Sequence, residues 1–298
     1  ETGLALLKEA AEKRNEYAQY RFGKILIQGE LCEQDIRSGI YWLEKSVAQD
    51  NEWAEYYLGK QYLGSGDVER NFKRAIHLLC SASKQGNRYA QYTLACQYLF
   101  SGEYAGKESA AVRLLEHSAG QHFAPAEKML AFILIKGELV PKDDLRASRL
   151  LEHSVQLGDD KAQYALAKLL LKSDTVPKNI PRAVRLLYAA AQKGNEWAEL
   201  LLGKMLLFGK EIPKEERKGL YFLKASAEQG NIYAAAIIEN RAELQKAIAV
   251  SSVVRIFAYL ANLFEEKQRK DKGRNRMILE RKQRRKIQDK KMAQGLRE

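Results

Sequence analysis

Histidine is the first place to look for chemistry, because its unperturbed side chain is the one that changes charge near neutral pH. His117 and His153 sit in identical Leu-Leu-Glu-His-Ser pentapeptides, 36 residues apart. Read as a site, they would be a metal pair; read as copies, they are one helix position written twice. His77 and His122 belong to no complete set of His, Cys and Asp ligands at metal spacing. Cys32, Cys80 and Cys96 are odd in number. The sequence contains no phosphate loop, dinucleotide glycine fingerprint or nucleophile elbow. No catalytic residue, metal ligand or cofactor is therefore expected, and no enzymatic activity for these residues.

The second chemistry on offer is recognition. Tyr and Trp recur with Lys between them at Tyr17, Tyr20 and Lys24, at Trp53, Tyr56 and Lys60, at Tyr89 and Tyr92, at Tyr164 and Lys168, at Trp197 and Lys204, and at Tyr233. Spacings of three, four and seven residues place the side chains of a group on one helix stripe. Rings give rigid contact area and ammonium groups attract acidic partners, so the stripe suits a protein or peptide. The competing reading is that the rings pack between neighbouring helices, since large aromatics usually lose much of their surface. A third feature is basic. Residues 265–298 carry 14 Lys and Arg against 6 Asp and Glu, while the other 264 residues are nearly balanced at +4. Within it, Arg281, Lys282, Arg284, Arg285, Lys286, Lys290 and Lys291 form a run suited to DNA phosphates or an acidic partner. The alternative is a solvated charge run.

The elements that must position these groups announce themselves by a period. Alanine occupies 18, 54, 90, 126, 162, 198 and 234, a 36-residue register without a gap. Leucine follows the same period at 7, 43, 79, 115, 151, 187 and 223, and a small residue precedes each by four: Gly3, Gly39, Ala75, Ala111, Ala147, Ala183 and Gly219. A fixed period of this size marks a helical solenoid. Four residues after each register alanine stand Phe22, Leu58, Leu94, Leu130, Leu166, Leu202 and Ile238, and the next position is Gly or Ala six times before Glu239. A bulk-free residue there lets a second helix come close. Gly86, Gly158, Gly194 and Gly230 suit left-handed helix stops, and the Asn or Asp after each suits an N-cap. Pro141, Pro177 and Pro213 belong in loops inside hairpins, and Pro125 and Pro181 fit first turns. No strand alternation appears in residues 3–240, and no apolar run reaches the roughly 20 residues of a membrane span.

These repeats resemble the Sel1-like repeat family, relatives of tetratricopeptide repeats. The residues that carry the resemblance are Ala-x-x-x-Leu-Gly-Lys at 54–60 and 198–204, the Pro-Lys pairs at 141–142, 177–178 and 213–214, and Leu-Lys-Ala-Ser-Ala-Glu-Gln-Gly-Asn at 223–231. Phe-Ala-Pro-Ala at 123–126 and a loop at 100–108 without Pro-Lys depart from it, and locally irregular packing is expected there. The resemblance implies a right-handed superhelical α/α solenoid whose first-helix stripe lines a concave groove. The tail at 281–295 is similar to the C-terminal end of MobL-type relaxases, mobilisation proteins of Gram-positive bacteria, some of which carry Sel1-like repeats. That implies an upstream nicking domain whose histidine cluster and tyrosine have no counterpart here.

The expected protein is all-α: 36-residue helix hairpins over residues 1–240, in half a unit, six full units and the start of a seventh. Capping helices follow at 241–266, with Val253, Val254, Phe257, Leu260, Ala261 and Phe264 on one face. A basic helical or disordered tail occupies 267–298. The first helix matches the second half of a unit, so residues upstream of Glu1 are expected. The expected function is an interaction scaffold, the C-terminal segment of a DNA-mobilisation relaxase of a conjugative or mobilisable element; the alternative is a stand-alone bacterial Sel1-like adaptor in regulation or secretion. A monomer in a reducing bacterial cytoplasm, away from membranes, is expected, since a disulfide-stapled solenoid would repeat its cysteines.

Overall fold

The computed structural model describes residues 2–64, 68–104, 106–209 and 211–241. They form α1 (Thr2–Glu12), α2 (Glu16–Gln28), α3 (Ile36–Val47), α4 (Glu52–Tyr62), α5 (Phe72–Lys84), α6 (Arg88–Phe100), α7 (Glu108–Gly120), α8 (Ala124–Lys136), α9 (Asp144–Gln156), α10 (Asp160–Lys172), α11 (Ile180–Gln192), α12 (Glu196–Phe208), α13 (Glu216–Glu228) and α14 (Ile232–Glu239). A 3-10 turn, Gly102–Tyr104, stands between α6 and α7. There is no strand among the described residues. Even-numbered helices are the first members of hairpins and odd-numbered ones the second. The described residues divide into two compact bodies, one ending at Leu186 and the other beginning at Leu187. The expected capping helices and basic tail lie outside the described residues beyond Arg241.

Every hairpin but the one that opens with α8 begins with one device. The side chain of Asn15, Asn51, Asn87, Asp159, Asn195 or Asn231 accepts a hydrogen bond from the backbone N–H of the register alanine three residues on, at 2.8–3.4 Å. The residue before each cap is left-handed: φ is +97° at Gly86, +78° at Gly158, +77° at Gly194 and +89° at Gly230. Arg14, Asp50 and His122 occupy the same place at +66°, +58° and +54°. Repeat geometry therefore imposes on three ordinary residues a conformation that glycine adopts freely.

All seven register alanines are buried. So are the comb leucines from Leu43 onward. Leu7 is the exception: it is half-buried, because α1 has α2 as its main neighbour, with Trp42 of α3 completing the cluster. The irregular packing expected around Phe123 is not found. Without a capping side chain, α8 still runs thirteen residues and buries Ala126, Leu130 and Ala131. Pro125 supplies a first turn that has no N–H to satisfy. In the loop at 100–108, Tyr104 packs on Tyr98 and Phe72 at 5.2 and 5.9 Å between ring centres.

Polar groups repeat as strictly as the apolar ones. One residue after the alanine, a buried amide or carboxylate on the first helix meets a group near the end of the second. Gln49 donates to Gln19 at 2.7 Å, Gln85 to Glu55 at 2.8 Å, Gln121 to Gln91 at 3.0 Å and Gln229 to Glu199 at 2.8 Å. Ser46, Ser118, Ser154 and Ser226 donate to backbone carbonyls 30 residues earlier. On the second helices Arg74–Glu44, Arg146–Glu116 and Arg182–Glu152 link successive hairpins. These pairs are partly exposed, so each contributes roughly 0.2–1 kcal/mol.

The hairpin seam leads to an ordering of variants. A Cβ on Gly203 would lie 2.9 Å from the Gly219 carbonyl oxygen and 3.0 Å from the Leu223 nitrogen, both backbone. On Gly59 the nearest atoms would be 3.1 and 3.2 Å away. Gly203→Ala should therefore lose about 1–3 kcal/mol from overpacking. Gly59→Ala should lose less, or gain through helix propensity, as Ala95, Ala131 and Ala167 already fill that place. Urea denaturation measures both, and the reverse order would contradict the seam.

The polar ladder leads to a pH dependence. Burial pushes the Glu55 carboxyl above its ordinary value of 4.5, against the hydrogen bond from Ser81. The fold thus binds this proton more tightly than the unfolded chain does. The resulting stability is full below 4.5 and is lost as pH rises through the higher folded value. Glu55→Gln, which recreates the Gln19–Gln49 pairing, should raise the melting temperature at pH 7 by a few degrees on the scale expected for about 1 kcal/mol. The gain should shrink towards pH 4. Thermal melts at the two pH values check this.

Candidate functional site

The stripe begins one residue before the register alanine, so the N-cap and the buried alanine fix its orientation. In the first body the rings touch in two groups. Tyr17 meets Tyr20 at 5.8 Å between centres, and Tyr20 meets Tyr57 of the next first helix at 6.4 Å. Trp53 and Tyr56 both meet Tyr89, at 5.6 and 5.7 Å. Tyr89 and Tyr92 both meet Phe123, at 4.9 and 5.5 Å. In the second body Trp197 meets Tyr233 at 6.0 Å. The rings thus form cross-helix contacts as well as a surface.

Exposure divides them. Tyr17 is 54% exposed and Trp53 36%. Tyr56, Tyr89, Tyr92, Tyr164 and Trp197 are half-buried. Tyr20 and Tyr233 are buried, so at these two positions packing between helices takes most of the ring. Tyr20 joins the core of Leu43, Leu58 and Leu78. Among the lysines, Lys60 and Lys168 are exposed, while Lys24 and Lys204 are half-buried. The Lys24 ammonium stands 5.6 Å from the Tyr57 ring centre, a cation–π distance. Burial raises the phenol pKa of Tyr20, Tyr56, Tyr57 and Tyr164. Burial, with Cys96 beside it, takes Tyr92 to about 12. These phenols stay protonated at neutral pH and offer ring area and donors.

Three members of this network escaped the sequence reading. Tyr57 lies one place off the stripe. Arg88 stands where four other repeats have Glu or Asp, and its guanidinium stacks 5.1 Å from the Tyr89 ring centre and 5.8 Å from that of Phe123. Phe123 occupies an N-cap position and carries its ring into the row. The signal was the loss of Asn at 123 together with Pro125 and Lys128 at stripe positions: Phe123 supplies the missing ring. Lys128 forms an ion pair with Asp159. Burial works against the Asp159 carboxylate, but hydrogen bonds from Lys128 and the Ala162 N–H hold its pKa below the ordinary value.

The two matching histidines are not brought together as a metal pair. His117 is exposed. His153 Nδ1 lies 2.7 Å from the buried Glu127 carboxylate, and His122 Nδ1 stands 3.5 Å from its other oxygen. Glu127 is this repeat's polar-ladder residue; Leu157 stands at the usual glutamine position, and His153, at the place of Ser81 in the second repeat, is its partner instead. Among the described residues no group of three His, Cys, Asp or Glu could hold a metal ion. The three cysteines are free thiols. No helix of the described residues is long and apolar enough to cross a membrane. The basic tail residues Arg281, Lys282, Arg284, Arg285, Lys286, Lys290 and Lys291, expected to contact DNA or an acidic partner, lie outside the described residues.

Comparison with known proteins agrees with this architecture. The pattern of the Sel1 repeat matches residues 16–51, 54–87, 124–159, 160–195 and 198–231, more than half of the chain. The gap at 88–123 is the repeat that holds the loop at 100–108. No curated protein matches. Among solved structures, the chain is 25% identical to a protective antigen present in uropathogenic Escherichia coli strains, with a TM-score of 0.59 over 78% of this chain. It spans 57% of that antigen's length. A Sel1 repeat protein from Oxalobacter formigenes is 22% identical, with a TM-score of 0.59, over 72% of this chain and 85% of its own; that likeness concerns the fold. The repeated caps, the small-residue seams and the matched residues together establish that this chain belongs to the Sel1 repeat family.

Proposed function

We propose that the chain is a protein-interaction scaffold whose first-helix stripe docks a protein or peptide. Sel1 repeats mediate protein–protein interaction. The observation that supports the stripe is its row of touching rings, with exposed edges at Tyr17 and Trp53 and exposed ammonium groups at Lys60 and Lys168. Rigid aromatic anchors are the usual energetic centre of an interface, and ammonium groups beside them attract an acidic partner. Replacing Trp53 and Tyr56 together by Ala should weaken a partner at least thirtyfold, the equivalent of about 2 kcal/mol. Quantitative co-purification from the native host, with circular dichroism to show a folded variant, tests this. Undiminished retention of every partner would overturn the stripe.

The parent protein, in this proposal, is a DNA-mobilisation relaxase of a conjugative or mobilisable element, with these residues as its C-terminal scaffold. The support is the tail at 281–295, whose basic residues are read as a DNA contact. Phosphate neutralisation by four to eight contacts predicts that affinity falls on the order of a hundredfold or more between 50 and 200 mM salt. Removing 267–298 should abolish binding of labelled DNA in an anisotropy titration. Salt-insensitive binding that survives the truncation would place DNA on the solenoid instead.

A further inference from the structure

Six residues after the register alanine, four repeats present lysine: Lys24, Lys60, Lys168 and Lys204. The two repeats between Lys60 and Lys168 have Cys96 and Phe132 there. At this break, between the end of α6 and the face of α8, lies a cavity of about 380 Å³. Its walls are Leu99 and Phe100 of α6, Met129, Phe132 and Ile133 of α8, and Leu139 of the following loop. Phe132 and Lys136 continue the stripe of Lys128 at a spacing of four, and Leu99 and Phe100 do so for Tyr92 and Cys96. The cavity is therefore part of the same helix face as the aromatic row. Phe100 is 70% exposed and Leu139 43%, which leaves an apolar mouth in contact with water.

We infer that this cavity is the anchor pocket of the docking surface, taking one bulky apolar side chain from an acidic peptide. The inference rests on the scaffold reading and adds the partner's chemistry to it. The volume lies at the small end of the range for ligand pockets, about 300–1,000 Å³, which suits a side chain rather than a folded element. Charge selects the flanks. Exposed Lys136 stands at the rim, and exposed Lys60 and Lys168 hold the row on the neighbouring first helices. Glu138 is the one acid among the lining residues, in the loop after α8. An acidic flank thus faces the lysine row, and the apolar side chain enters where that row is interrupted. Burial of Phe100 and Leu139 by the incoming side chain provides the hydrophobic gain.

The test uses the full chain labelled with methyl-13C methionine, since Met129 lies in the pocket wall and buried Met205, which does not line it, serves as a reference. The probes are acidic heptapeptides with three glutamates on each side of a central Phe, Leu, Met or Ala. At least one of the Phe, Leu and Met peptides should bind saturably and shift the Met129 resonance, leaving Met205 in place. The Ala peptide should bind at least tenfold more weakly. Phe100→Asp, at a side chain already in water, should weaken the best peptide at least tenfold without changing the melting temperature. A Met129 resonance unmoved by all of the apolar-centred peptides would overturn the pocket. If a cellular partner is lost with the Trp53 and Tyr56 variant but is indifferent to Phe100→Asp, the pocket is wrong and the scaffold reading survives.

Discussion

The structure depends on how closely two helices can approach within one hairpin. Where the seam is Gly203 against Gly219 or Gly23 against Gly39, a single added methyl would meet backbone atoms. Where alanines stand at these positions, as at Ala95 and Ala111, they are fully buried. This contact fixes the rotation of both helices. Rotation then decides which residues enter the core and which form the stripe. Leu43, Leu79, Leu115, Leu151, Leu187 and Leu223 are fully buried because the seam turns them inward. Residues one place before and two places after the alanine are turned towards the neighbouring first helix.

Polar constraints make this arrangement specific. An Asn or Asp cap ties the register alanine's own N–H, so the start of the helix and its deepest residue are set by one bond. The buried Gln and Glu ladder needs its partner on the second helix, since an unpaired buried polar group is costly. A one-residue slip would break the cap, the ladder and the serine bonds together. Apolar packing alone would penalise such a slip less. The left-handed residue before each cap completes the device, and Arg14, Asp50 and His122 show that repeat geometry outweighs local preference there.

Much of this was legible in the sequence for a simple reason: solenoid positions recur in identical surroundings, so each constraint is written several times. Seven alanines, seven leucines and six caps each repeat one physical demand. What was hidden is what occurs once. Phe123 reads as a lost cap, and its ring partners Tyr89 and Tyr92 emerge only when neighbouring helices are placed side by side. His153 reads as a copy of His117, yet only His153 faces a carboxylate, because Glu127 lies on the preceding helix in its own hairpin. Left-handed backbone was legible at the glycines and silent at Arg14, Asp50 and His122. The aromatic stripe was legible as a face, but Tyr20 and Tyr233 could not be separated from exposed Tyr17 without the packing around them.

The central claim is that partners meet the first-helix stripe and not the aromatic surface of the second helices. Tyr41 of α3 and Tyr221 of α13 are 53% and 68% exposed, so the second helices offer rings of their own for comparison. The direct measurement is photo-crosslinking in native cells, with a benzophenone amino acid placed in turn at positions 53, 41 and 221. The account predicts a discrete adduct from position 53 and none of that mass increment from 41 or 221. The same adduct from position 41 or 221, with none from 53, would contradict it.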